Sequence, residues 1–318
     1  MKQVFALVLF AAALFAQSGT STISGVVRDP SNAPLAGAKV ALANTETGVR
    51  QETSSNEEGI YRFPSLVAGS YSVEASADGF QTVNRSPVVV QVSQSVGLDL
   101  TLPLGARSDT ITVTEDLPLL ETQTSNVAQT ITRQMLAGLP LPNRAASSLA
   151  VLAPGVVMVD SGAGTAENYP VFSVSGGRVR NQSFVLDGGN VTNATGLTRP
   201  QQLVSLPVDA MQEFTVISNN YSAEYGHSTG GVVSMSTRSG TNRYHGSVFE
   251  SLKNSALDAR NFFDVRSAPD VTKTPPFKRN QFGGTFGGPI KRDHTFYFGA
   301  YEGMRERLAV SQFATVPS

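Results

Sequence analysis

Side chains that usually carry out chemistry are scarce and scattered in this 318-residue sequence. There is no cysteine, and the three histidines, His227, His245 and His294, lack the spacing that a zinc site needs. No nucleophile, acid–base pair or carboxylate cluster can be assembled, so the expectation is no enzyme, no cofactor and no metal. Two glycine-rich stretches still need weighing. "SGGRVRN" lacks the Lys-Ser/Thr ending of a phosphate loop and the full glycine pattern of a dinucleotide site. "DGGN", Asp187 to Asn190, suits a hairpin turn far better than a calcium loop. The remaining candidate works through its backbone. "SDTITVTEDLP", Ser108 to Pro118, alternates Thr110, Thr112 and Thr114 against Ile111 and Val113 before Pro118 breaks it. Such β-branched density favours an extended chain, able to join a sheet by edge addition.

The elements around that segment set its context. Net charge is −1, with 24 basic and 25 acidic residues, so the basic footprint of a nucleic-acid binder is absent. The N-terminus has one cation, Lys2, and an apolar run from Val4 to Ala16. That run is too short for a membrane span, which needs about 20 residues, and its flanks fit a signal peptide over 1–18. Without cysteine, neither a disulfide nor a lipid anchor is available. No later run is long and apolar enough for a membrane helix, so any membrane crossing must use strands.

From Thr20 to Leu104 short alternating runs are separated by turns. "VGLDLTLPL" puts Val96, Leu98, Leu100 and Leu102 on one face. Six or seven such strands with turns every 8–12 residues describe a small β-sandwich. "GVVRDPSNAPLAGAKVAL" and "EEGIYRFPSLVAGSYSVEASADGF" resemble the carboxypeptidase-regulatory-like, prealbumin-type domain, which shares a carbohydrate-binding-like fold. Gly37, Gly59 and Gly69 fit its turns; Tyr61, Phe63, Tyr71 and Val73 fit its inward positions. These aromatics alternate as a core does, which weighs against a sugar-stacking platform.

"DTITVTE", Asp109, Thr110, Ile111, Thr112, Val113, Thr114 and Glu115, resembles the TonB box of TonB-dependent outer-membrane proteins. Taken alone it reads equally as a last strand of the sandwich. The following residues decide for the box. "TQTSNVAQTITRQMLAGLPLPNRAASSLAVLAPGV" is expected to hold two short helices, capped by Thr132 and Asn143. "SGGRVRNQSFVLDGGNV" and "EYGHSTGGVVSMSTRSGTN" resemble the two most recognisable segments of a TonB-dependent receptor plug. The first contains Gly176, Gly177, Arg178, Arg180, Asp187 and Gly188, carried over as the plug motif. "LPLPNRAASSLAVLAPGV" is similar to the Oar-like branch of that family. A plug fills a wet lumen, so Arg178, Arg180, Asn181, Glu224 and Arg238 are expected to face lumen or solvent.

After Asn242, "RYHGSVFESL", "KRNQFGGTFGGPI" and "HTFYFGAYEGMRER" read as tilted membrane strands. Some 26 residues, Lys253 to Lys278, separate the first pair, and only "KRD" the second, matching long outer loops and short periplasmic turns. Alternation sets Phe282 and Phe286 opposite Thr285.

The expected fold class is therefore mainly β with a small α+β plug. A signal peptide (1–18) precedes the sandwich (20–104), a linker with the box (105–120), the plug (121–242) and the first strands of a barrel (243–318). The resemblance implies a closed barrel of about twenty-two strands, so the sequence reads as a truncated part of one. It also implies the outer membrane of a Gram-negative-type bacterium. The implied partners are the periplasmic C-terminal domain of TonB, outer-membrane lipid around the barrel, and an unknown transported ligand. The alternative is a secreted or surface sugar-binding or adhesion protein built on the sandwich.

Overall fold

The computed structural model describes residues 21–105, 110–113, 125–159, 172–192, 206–257 and 277–308, except positions 140, 142, 143, 145, 180 and 227. The leader, Asp109, Thr114, Glu115, Asn143, Arg180 and His227 lie outside them.

The first body is a two-sheet sandwich. One sheet runs β4 (Ile60–Leu66), β1 (Ser21–Arg28) and β7 (Ser95–Gly97), with β8 (Leu100–Thr101) also on β1. The other runs β3 (Arg50–Ser54), β2 (Lys39–Asn44), β5 (Gly69–Ser76), β6 (Thr82–Val90) and β9 (Thr110–Val113). Strict alternation along β1 buries Ile23 and Val27, and β5 buries Tyr71, Val73 and Ala75. The two inner faces meet over Val40, Leu42, Tyr61, Phe63 and Leu102. Burying each such side chain is worth about 1.5–3 kcal/mol. Tyr61, Phe63 and Tyr71 are thus core, and the Tyr61 hydroxyl donates to Leu98 O at 2.6 Å. The expected single strand over 96–102 is divided into β7 and β8. At the break the Val26 N–H donates to the Asp99 carboxylate (2.9 Å), which replaces a ladder bond.

The second body is built on the sheet β10 (Val127–Ile131), β15 (Met211–Asn219), β16 (Val232–Thr237), β13 (Ser183–Leu186) and β14 (Gly189–Asn190). A two-stranded ribbon, β11 (Val156–Met158) with β12 (Phe172–Val174), and one helix, α1 (Arg133–Gly138), cover one face. Phe172, Phe184, Phe214, Val216 and Leu136 form that core. α1 follows Thr132 as expected, although the Thr132 side chain makes no cap bond. The second expected helix is instead a 3₁₀ segment, Ala146–Leu152. Arg144 just before it sits at φ +54°, which ends any helical run there. Leu149 and Ala150 within it and Ala153 just after it are buried, with Ala150 and Ala153 one three-residue turn apart.

The third body is an antiparallel sheet of β17 (His245–Asn254), β18 (Phe277–Lys291) and β19 (Thr295–Leu308). Alternation splits it into two faces. Val248, Leu252, Phe282, Phe286 and Tyr301 point outward, with Val248 91% exposed. Arg279, Gln281 and Thr285 point inward and are buried. A three-residue turn, Arg292 to His294, joins β18 to β19, as short as the sequence implies but one position later than "KRD".

Candidate functional site

Of the box-like segment, Thr110–Val113 forms β9, the end strand of its sheet. It runs parallel to β6, with Thr82 opposite Thr110, Val83 opposite Ile111, Asn84 opposite Thr112 and Arg85 opposite Val113. Thr112 is exposed. The sequence left a sandwich strand and a free box as equal readings of this segment taken alone; in the structure these four residues occupy a sandwich position. Their placement is set by the preceding chain. Gln81 N–H donates to Pro103 O at 2.8 Å, Leu104 bridges Phe80, and Gly105 N–H reaches Gly79 O at 3.2 Å. Residues 103–105 are thereby tied beside the start of β6, and only five positions separate Gly105 from Thr110.

The other end of β6 meets the second body. Immediately after Val90, the Val92 N–H donates to the Glu213 carboxylate on β15. Thr215 Oγ1 donates to Val92 O at 3.4 Å, and Ser93 Oγ to Ser234 Oγ at 2.7 Å. Val92 and Glu213 are both buried in this joint. Glu213 and Thr215 alternate with Phe214 and Val216, so β15 gives its polar face to the sandwich and its apolar face to the core of the second body. Burial pushes the Glu213 carboxyl up to about 7, against the opposing effect of the Val92 N–H bond. A second joint lies at Asn242. Its N–H donates to Glu46 O (3.0 Å), and its amide donates to Thr47 O (2.9 Å) and to Asp293 Oδ1 (2.7 Å) in the β18–β19 turn. Neither joint was legible in the sequence: polar side chains on a strand, such as Glu213, Thr215 and Ser234, or in a turn, such as Asn242, carry no mark of a distant partner.

The plug-motif residues form two close-packed turns. Gly176 adopts φ +72°. Gly177 lies against Gly230, where an added Cβ would fall 2.7 Å from the Gly230 Cα. Arg178 is exposed, as expected. Asp187 (φ +46°) and Gly188 (φ +83°) make the two-residue hairpin turn between β13 and β14. The Asp187 carboxylate then accepts Thr237 N–H (2.9 Å) and Thr237 Oγ1–H (2.7 Å), tying that turn to the end of β16. Among the described residues no group of three or more acidic or histidine side chains could hold a metal.

Arg238 departs from the expectation of a lumen or solvent position. It is buried, with its guanidinium 5.1 Å from the Phe298 ring centroid on β19 and Nη1 donating to Asp209 O at 3.2 Å. Arg144 makes a similar link: it pairs with Asp209, lies 3.6 Å over the Phe249 ring on β17 and stands 3.8 Å from Glu302 on β19. Sequence reading missed Arg144, whose partners are some 60 to 160 positions away.

The comparisons with known proteins follow the same order of bodies. Residues 22–103 match the carboxypeptidase regulatory-like domain, 121–233 the TonB-dependent receptor plug domain, and 236–318 an outer membrane beta barrel domain. Over 305 residues, 92% of the chain, it is 27% identical to the TonB-dependent transporter Oar of Myxococcus xanthus. The chain is similar to the Oar-like TonB-dependent transporters. This Oar-like chain spans 27% of the length of that relative. Among solved structures it is similar to the outer membrane transporter YddB from Escherichia coli, at 19% identity and a TM-score of 0.46, covering 57% of this chain and 26% of that one. The siderophore receptor PirA from Acinetobacter baumannii gives 19% identity and a TM-score of 0.40, covering 60% and 26%. The match to an outer membrane beta barrel domain supports an outer-membrane location.

Proposed function

We propose that this chain is the energy-coupling and gating portion of an outer-membrane transporter. A strand of the periplasmic C-terminal domain of TonB adds to Asp109–Glu115, and the pull that follows remodels the plug within its barrel to open a path for a ligand. The matching order of sandwich, plug and barrel strands carries this reading, with the extended Thr110–Val113 between the first two. The work is mechanical, so no residue is given a catalytic role. We divide the chain accordingly: a leader over 1–18, the sandwich over 20–104, the box-bearing linker over 105–120, the plug over 121–242 and barrel strands over 243–318. A secreted sugar-binding protein is not favoured, because the sandwich aromatics are committed to the core.

The test is calorimetric titration of a Ser108–Pro118 peptide into the TonB domain. Thr112→Pro removes one backbone donor and should weaken binding about tenfold, on the order of one hydrogen bond. Equal binding by both peptides would sink strand addition.

A further inference from the structure

The position of β9 bears on how a partner reaches it. A box that must be a free tether would need to leave the sandwich before use. Here, however, β9 ends its sheet: β6 occupies one edge, and no described strand occupies the other. In a parallel ladder alternate residues turn their N–H and C=O groups to opposite sides, so half of the β9 backbone groups face away from β6. An open strand edge of this kind is a template for another extended chain. Thr112 is exposed, and its neighbour Asn84 is half-buried.

The strand behind β9 leads to the plug. β6 pairs with β9 over Thr82–Arg85, ends at Val90, and two residues later Val92 is seated on Glu213 and Thr215 of β15. From Asn84 to Val92 is about 26 Å at strand rise. A load on the outer edge of β9 therefore passes through one ladder into β6 and from its end into the central plug sheet. β10, the first plug strand after the box, meets the same strand: Thr130 Oγ1 lies 2.8 Å from Thr215 Oγ1.

We propose that the sandwich is the docking platform of the coupling machinery. The partner strand adds to the free edge of β9 while β9 stays on β6, becoming the sixth strand of the β3-β2-β5-β6-β9 sheet. This rests on the strand-addition reading above and gives the sandwich a role of its own, that of a lever seated on β15.

The chain has no cysteine, so a pair can be introduced on a clean background. Asn84 and Thr112 are direct cross-strand partners, and adjacent strands lie about 4.8 Å apart, within the roughly 4.4–6.8 Å Cα separation of a disulfide. The full chain carrying N84C and T112C is oxidised, and binding of the TonB C-terminal domain is compared between its oxidised and reduced forms. The platform predicts that the bond forms in the resting chain and that both forms bind within about threefold of each other, under 1 kcal/mol. Three results overturn it. If no disulfide forms, β9 does not rest on β6. If binding weakens tenfold or more on oxidation and returns on reduction, the box must leave the sandwich, and strand addition stands without the platform. If neither form nor the free peptide binds, strand addition fails and the platform with it.

Discussion

Glu213→Gln perturbs the joint between sandwich and plug with almost no change of shape. The Gln carbonyl still accepts the Val92 N–H, and the only loss is a titratable proton. In the native chain burial raises the carboxyl from 4.5 to about 7. A raised carboxyl binds a proton in the folded state that the unfolded chain has released. Its contribution is therefore complete below pH 4.5 and is lost as pH rises through about 7. At 1.36 kcal/mol per unit the full span is about 3 kcal/mol, and between pH 5 and pH 8 about 2.5 kcal/mol of it disappears. Glu213 is 8% exposed, so solvent screening does not cut this figure substantially. Urea unfolding of the wild type and of Glu213→Gln at both pH values isolates the effect, because every other titrating group is common to the two. The wild type should lose about 2.5 kcal/mol more than the variant on going to pH 8. Equal losses would refute a buried titrating carboxyl at this joint.

Four further substitutions, at three positions, probe the plug. Arg144→Ala removes the guanidinium that pairs with Asp209 and covers the Phe249 ring, and should cost about 2 kcal/mol in urea unfolding at unchanged slope. Arg144→Lys should recover only part of it, since an ammonium loses the planar stack. Gly177→Ala forces a methyl group to within 2.7 Å of a backbone carbon and should cost about 2 kcal/mol in thermal unfolding. Gly176→Ala meets no neighbour and bears only the left-handed φ, about 1 kcal/mol.

The parts of the fold legible in the sequence are those where a strand has one wet face and one dry one. Val96, Leu98, Leu100 and Leu102 are all buried as their spacing predicts, although Asp99 interrupts the strand that carries them. β16, VVSMST, is legible for another reason: it is buried on two faces and reads as a near-continuous apolar or small run, whereas β15 shows its alternation of Phe214 and Val216 with Glu213 and Thr215. β10 was not found, because only Ile131 of its five residues is buried and an edge strand with polar neighbours has no period to detect. The second helix was misread since local propensity alone favoured it, whereas Arg144 turns left-handed to meet Asp209 and the barrel strands. Of the candidate site, the hairpin turn at Asp187–Gly188 was readable from its residue types. The bond from Asp187 to Thr237, fifty residues on, was not, because sequence spacing carries no distance information once the chain has folded back.

The contacts between plug and strands differ in kind from those within either. Inside the β17–β18–β19 sheet a ladder pairs ten residues of β17 with β18, and β18 continues onto β19 along nearly its whole length. Among the contacts by which the plug meets that sheet are separate side chains, Arg144 on Phe249 and Arg238 on Phe298, with Asn242 and Asp293 at the turn, and the close approach of Gly240 to the Gly288 and Tyr297 carbonyls. A cation over an aromatic face is worth about 0.5–2 kcal/mol, and a single polar bond about 1 kcal/mol. The strand ladder must be broken across many bonds at once, while the plug contacts can yield one at a time. On the coupling proposed above, a load reaching β15 through Val92 would meet its weakest resistance at the boundary between the plug and these strands, and the plug would shift before the hairpins do.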